Sequence, residues 1–82
     1  MHIEAETLES DGSAWTALVR VRGALYVAAF VAGKLTVRLA PYKHAPHRAR
    51  WAEAEVERWA TKRIAEIPPD WHERHRAMYA QT

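Results

Sequence analysis

The chain has 82 residues, no cysteine and a formal net charge of +2. Its length predicts one small domain, and the lack of cysteine excludes disulfides, thiolate nucleophiles and cysteine-bound zinc. An apolar fraction of 49% with four tryptophans argues against disorder. No uncharged run approaches the roughly 20 residues of a membrane-spanning helix. The acidic start is unlike a signal peptide, so we expect a soluble cytoplasmic protein.

Charge is distributed unevenly along the sequence. Residues 1–12 contain four acidic residues and no lysine or arginine, whereas residues 13–52 contain seven basic residues and no acid. A long segment without a carboxylate favours an anionic partner. The alternative is that the acidic first strand lies beside the second strand and cancels part of this charge.

The first half of the chain predicts an antiparallel meander of four strands, at residues 2–8, 14–22, 24–32 and 35–40. Turn signals separate them at SDGS, Arg22-Gly23 and Gly33-Lys34. Glycine at the first position of the last loop suits a type II′ turn.

Side-chain parity sorts these strands into two faces, because alternate residues of a strand point to opposite sides. One face is wholly apolar and is the predicted core face. Its members are Trp15, Ala17, Val19, Val21, Ala24, Tyr26, Ala28, Phe30, Leu35, Val37 and Leu39. Ile3 and Ala5 join this face if Glu4 and Glu6 point outward.

The third predicted strand is apolar on both of its sides. Its second face presents Leu25, Val27, Ala29 and Val31. The neighbouring strands add Leu18 and a polar surround of Thr16, Arg20, Arg22, Thr36 and Arg38. Apolar side chains on both faces are typical of a strand that is buried twice. The sequence therefore raises the question of what covers the second face.

The second half predicts two helices after a loop at residues 41–45. The longer helix is predicted over 46–66, with Pro46 in its first turn and Pro68-Pro69 beyond its end. A short helix over 70–80 follows, with Asp70 and Glu73 at capping-box spacing. The apolar stripe of the longer helix matches the core face of the sheet.

These elements predict an α+β fold in a single domain, residues 1–82: a four-stranded antiparallel β-meander packed on one long helix, plus a short C-terminal helix. The Pro-Pro link is too short to carry the second helix across a sheet edge, so we expect that helix beside the first. The outer sheet face is then left to another molecule.

Motifs for catalysis and cofactor binding are missing from the sequence. Its three glycines form no phosphate-binding loop. Ser10 and Ser13 fall in a predicted turn without a nucleophile-elbow pattern. We therefore predict a protein that is not an enzyme, has no cofactor and takes no small-molecule substrate.

Histidine spacing raises the possibility of a metal site. Two His-x-x-His pairs occur, and four imidazoles are enough for a zinc ion. Neither pair matches a zinc-finger or metalloprotease spacing. We predict solvated surface histidines and no bound metal for His44, His47, His72 and His75.

The favoured hypothesis is a non-enzymatic protein that binds a protein partner, or a second copy of itself, through the outer sheet face. An aliphatic centre with a charged rim is typical of protein interfaces. The expected partner-binding residues are Leu18, Arg20, Arg22, Leu25, Val27, Val31, Arg38 and Trp51. For Trp51, the alternative is packing against the loop at 40–47 or against Trp71.

The second hypothesis is direct binding of DNA or RNA through the basic window 13–52. Its residues are Arg20, Arg22, Lys34, Arg38, Lys43, Arg48 and Arg50. The order of a sheet followed by a helix also occurs in some domains that enter a DNA groove. In size and layout the chain is similar to small accessory proteins of phages and mobile elements, including anti-CRISPR inhibitors. That resemblance implies an inhibitor or regulator of a nucleic-acid-handling complex.

Overall fold

Four antiparallel strands in chain order form one sheet: β1 (His2–Leu8), β2 (Ala14–Val21), β3 (Ala24–Val31) and β4 (Lys34–Leu39). Two helices follow, α1 (Arg50–Ala65) and α2 (Pro69–Tyr79). The computed structural model describes residues 1–41 and 49–80. The predicted α+β fold class is confirmed, although α1 has only 16 residues. The predicted helix start at Pro46 lies outside the described residues.

The core lies between α1 and one face of the sheet. Residues four apart along α1 are buried, which places them in one row along a helix. They pack with the inward side chains of the sheet, among which Trp15, Val19 and Tyr26 are fully buried. The buried row of α1 consists of Ala52, Val56, Ala60 and Ile64. Two alanines in this row allow a close approach of helix and sheet.

The two hairpins of β2–β3 and β3–β4 share one turn geometry. Arg22-Gly23 has φ values of 47° and 81°, and Ala32-Gly33 has 54° and 72°. Positive φ at both central positions defines the type I′ turn, which matches the twist of the strands. The predicted β3–β4 turn at Gly33-Lys34, with a type II′ geometry, is therefore wrong. The true register is shifted by two residues, so the predicted faces of β4 are unchanged.

A β-bulge at Glu4 changes the facing of β1. Ile3 pairs with Val19, but the next pair is Ala5 with Leu18. The extra residue reverses the parity of the rest of the strand. Ile3 therefore lies on the core face as predicted. The predictions for Ala5 and Glu6 are wrong, because Ala5 lies on the outer face and Glu6 turns toward α1.

The inward carboxylate of Glu6 serves two donors. Its Oε2 accepts hydrogen bonds from Trp15 Nε1 and Arg63 Nε, both at 2.8 Å. The first bond satisfies the indole N–H of a fully buried tryptophan. The second ties the edge of the sheet to the last turn of α1. The Arg63 guanidinium lowers the pKa of Glu6, burial opposes this effect, and the Trp15 bond adds to it.

We expect this carboxylate to make the fold sensitive to acid. Because the pKa of Glu6 is lowered in the folded state, its stabilisation is present above the ordinary value of 4.5 and is lost as the pH falls through the folded value. Urea unfolding followed from neutral to acid pH should show a smaller loss of stability in Glu6→Gln than in the wild type. Glu57→Gln, on the exposed side of α1, is the control. Equal acid sensitivity in all three proteins would contradict the role of Glu6.

Helix α2 is held mainly at the two turns at one end of the sheet. Trp71 Nε1 donates to Glu9 O, and Tyr79 Oη donates to Ser13 O, each at 2.7 Å. His72 adds a bond to Ile64 O of α1. The expectation that α2 lies beside α1 therefore misses its principal anchors, which are backbone groups of the turns.

The start of α2 also differs from the expected capping box. The helix begins at Pro69, without a side-chain cap. Asp70 instead bonds Arg74 one turn further along, at 3.3 Å. Proline suits this first position because its fixed φ is helical and its missing N–H has no helical partner there.

His75 is the central contact of α2 and is only 2% exposed. Its ring contacts two aromatic neighbours, with ring centres 4.7 Å from Phe30 and 4.9 Å from Trp71. Its Nε2 accepts the Gly33 N–H at 2.8 Å, so Nδ1 carries the proton that is donated to Gly12 O at 2.7 Å. The prediction of a solvated histidine is wrong here. Phe30 lies on the core face, so α2 packs on the same side of the sheet as α1.

Candidate docking surface

An uncovered apolar strip runs along the face of the sheet opposite the helices. We call this set the central strip: Leu18, Leu25, Val27, Ala29 and Val31. Leu18 is 36% exposed and Val31 is 40% exposed, while the others are half-buried by neighbouring strands. Within residues 1–41 and 49–80, no helix packs over this strip. The apolar second face expected for β3 is therefore present.

Basic side chains flank the central strip on both sides. Arg20 pairs across the sheet with Leu25, Val27 with Arg38, and Val31 with Lys34. The first arginine comes from β2 and the other two cations come from β4, so the strip lies between them. Arg38 and Lys34 are both exposed.

Arg20 is already engaged with groups on this chain. Its Nε donates to Glu4 Oε1 at 2.6 Å, and its Nη1 donates to Gly23 O at 3.2 Å. The hydrogen bond from Arg20 lowers the pKa of Glu4. This ion pair neutralises part of the positive charge beside the central strip. It matches the alternative in which the acidic first strand lies beside the second strand and cancels part of its charge. Glu4 lies on the outer face, as side-chain parity predicts, because it follows the inward-facing Ile3.

Arg22 and Trp51 meet at the tip of the β2–β3 hairpin. The guanidinium carbon of Arg22 lies 5.2 Å from the centre of the Trp51 ring, a cation–π contact. Trp51 lies in the first turn of α1 and is 53% exposed. Trp71 is buried among Phe30 and His75 at the opposite end of the sheet, so it is not the packing partner of Trp51. Sequence reasoning selected both residues but did not pair them.

The five basic residues of the nucleic-acid hypothesis that the structure describes do not form one continuous patch. Lys34 and Arg38 are separated by four residues of strand, about 13 Å. Arg50 begins α1, on the other side of the sheet. Arg20 and Arg22 contact Glu4 and Trp51 respectively. The remaining two members, Lys43 and Arg48, lie outside the described residues.

Metal-binding side chains do not cluster in the part of the chain that the structure describes. In the described ranges, no group of three or more His, Asp or Glu side chains is placed to hold a metal ion. Both ring nitrogens of His75 bond backbone groups. The other His-x-x-His pair, His44 and His47, lies outside those ranges. Neither α1 nor α2 is long and apolar enough to cross a membrane.

A cleft of about 340 Å³ opens beside the edge of β1. Its polar lining residues are Glu6, Trp15, Arg63 and Glu66, and its apolar lining residues are Leu8, Ile67 and Pro68. Glu6 accepts hydrogen bonds from Trp15 and Arg63, and Arg63 also pairs with Glu66. These bonds connect β1 to α1, so a structural role explains the arrangement of the polar side chains.

Comparison with protein-family models, with curated protein sequences and with solved structures finds no match to this chain. The class that its architecture defines is a small α+β domain with a four-stranded antiparallel meander and both described helices on one face. Its function must be inferred from the surface itself.

Proposed function

We propose that this protein is a non-enzymatic binding module that docks its outer sheet face on an acidic protein partner. The observation that carries the proposal is the central strip, an apolar row on the face opposite both helices. Burying apolar area contributes about 25 cal/mol per Å², before the costs of association. An aliphatic centre with a charged rim supports a protein partner.

Charge complementarity favours an acidic partner over a second copy. The rim contributes Arg20, Lys34 and Arg38, and its acid Glu4 is already paired with Arg20. Two copies docked face to face would therefore place an excess of positive charge on each side. Like charges at an interface disfavour association. A partner with carboxylates around an apolar centre meets both the strip and the rim.

Size and layout support a narrower version of the proposal. In this version the protein is an accessory inhibitor or regulator of a nucleic-acid-handling complex, of the kind encoded by phages. Such a protein acts by occupying a surface, so it needs a docking face and no catalytic group.

We expect Val27→Asp to abolish binding, because it places a charge in the central strip. The protein should stay folded, because no described helix packs over this position and would bury the new carboxylate. The measurement is selection from a phage-displayed library of random peptides, with affinities of the enriched peptides measured by fluorescence anisotropy. Wild type should enrich peptides that combine apolar with acidic residues. Val27→Asp and Leu18→Glu should bind these peptides at least about thirtyfold more weakly, the effect of losing a hot spot.

The matched control is Met78→Glu, which places an acid at a similarly exposed apolar side chain on α2. It should leave peptide affinity unchanged. Leu18→Glu tests the surface independently if Val27→Asp fails to fold. Arg38→Glu should weaken binding and reduce its dependence on salt. A dimer that dissociates in Val27→Asp, seen by light scattering, would replace the acidic partner with a second copy.

Direct nucleic-acid binding is a second proposal, favoured by the seven basic residues and the lack of acid in residues 13–52. It predicts an affinity for labelled duplex or single strand that falls steeply with salt, with a slope that grows by about one per phosphate contact. The described basic residues are dispersed over the structure. This arrangement favours the protein-binding proposal over nucleic-acid binding. No binding to either oligonucleotide at low salt would end it.

A further inference from the structure

Arg22 occupies a backbone position that disfavours it. Its φ of 47° lies in the left-handed region, at the first central position of a type I′ turn. Asparagine, aspartate and glycine are preferred there, because other residues are strained. Sequences tend to break such local rules at functional sites.

Trp51 is the second unusual choice at the same place. A tryptophan is among the most costly side chains to leave half in water, and this one lies outside the core cluster. Its described ring partner is the guanidinium of Arg22. Exposed tryptophan and arginine are also the residues most enriched among interface hot spots.

We propose that the Arg22–Trp51 pair is the anchor of the docking surface and binds a carboxylate of the partner protein. This inference rests on the proposed function and names its central contact. A guanidinium held over an indole by a cation–π contact leaves its N–H donors available to an anion. Those donors match the two oxygens of a carboxylate. The cation–π contact also restrains the guanidinium before binding, which reduces the entropy lost on association.

The anchor is continuous with the central strip. Arg20 pairs with Leu25 at one end of the strip, and its Nη1 donates to Gly23 O, in the same turn as Arg22. A partner that covers Leu25 therefore reaches the hairpin tip within one or two residues. The strip and the anchor meet at the hairpin tip, where the surface continues around the end of the sheet to the α1 side.

A single carboxylate fits this anchor better than a phosphate backbone. Glu53 and Glu55 follow Trp51 in the first turns of α1. A polyanionic strand passing over Trp51 would approach these acids, whereas one carboxylate can bond Arg22 alone. The apolar strip beside the anchor also suits a protein rather than a nucleic acid.

The decisive variant is Arg22→Asn, because asparagine suits the turn better than arginine. Thermal unfolding should show equal or higher stability, while affinity for the acidic peptides enriched by wild type falls at least about tenfold. Trp51→Ala should cause a similar loss. Ala32→Asn makes the same change at the equivalent position of the other hairpin and should leave affinity unchanged. Binding should also change tryptophan emission in wild type but less in Trp51→Ala.

Each other outcome overturns the inference in a distinguishable way. Peptides that depend on Val27 but not on Arg22 or Trp51 would leave the proposed function standing and remove the anchor. Enriched peptides without an excess of acid would remove the carboxylate. Binding of a deoxythymidine oligonucleotide that is lost in Trp51→Ala would replace carboxylate with nucleic acid. Loss of stability in Arg22→Asn would make the pair a structural clasp. Failure to enrich any peptide would remove both proposals.

Discussion

Replacing Gly12 with alanine is expected to destabilise the fold by about 2–4 kcal/mol, the sum of backbone strain and overpacking. Gly12 has a φ of 88°, and a Cβ placed there would lie 2.7 Å from Arg74 Cβ and 2.9 Å from the backbone nitrogen of His75. The nearest neighbours include the backbone of α2. This helix cannot move away without breaking its contacts with the β1–β2 turn. Only glycine allows α2 to approach so closely.

The chain provides a matched control at the tip of the β2–β3 hairpin. Gly23 has a φ of 81°, but a Cβ there would meet nothing within 4 Å. Gly23→Ala therefore reports the backbone strain alone, about 1 kcal/mol. Urea unfolding of both variants gives the steric contribution by difference. Equal losses for the two variants would show that α2 does not press on the β1–β2 turn.

His75→Phe is expected to cost about 2–4 kcal/mol, because it leaves one buried and one partly buried backbone group without partners. Phenylalanine keeps a flat ring in contact with Phe30 and Trp71. It can neither accept the Gly33 N–H nor donate to Gly12 O, the two bonds that His75 makes at 2.8 and 2.7 Å. The loss therefore measures the hydrogen bonds more than the stack.

Helix α2 contains its own control for this substitution. His72 is half-buried and makes one described hydrogen bond, between Nε2 and Ile64 O at 3.0 Å. His72→Phe should cost less than His75→Phe, about 1 kcal/mol. Calorimetric unfolding of the two variants compares them directly. Similar losses would mean that the double anchoring of His75 adds no stability.

These contacts distinguish the two ends of the sheet. The end with the β1–β2 and β3–β4 turns is fastened by α2, through His75 and its aromatic neighbours. The other end presents Arg22 and Trp51 to solvent. Mutations at Gly12 and His75 should therefore lower the stability of the fold without changing the affinity of the folded protein for acidic peptides. Mutations at Arg22 should lower that affinity without lowering stability.

The sequence by itself determined the strands, the two helices and the apolar character of both faces of β3. These features follow from local rules, since alternation fixes the facing of each strand and prolines limit each helix. Even the shifted β3–β4 turn preserved the faces, because a shift of two residues leaves parity unchanged.

Only the tertiary structure decided the bulge at Glu4, the burial of His75 and the meeting of Arg22 with Trp51. Each depends on groups far apart in the chain: Glu6 turns inward to reach Trp15 and Arg63, and His75 bonds turns more than 40 residues away. Local patterns give no signal for such partners, because a polar side chain is buried only when another segment supplies its hydrogen bonds. The second face of β3 was open to prediction for the opposite reason: it needs no partner from the described chain.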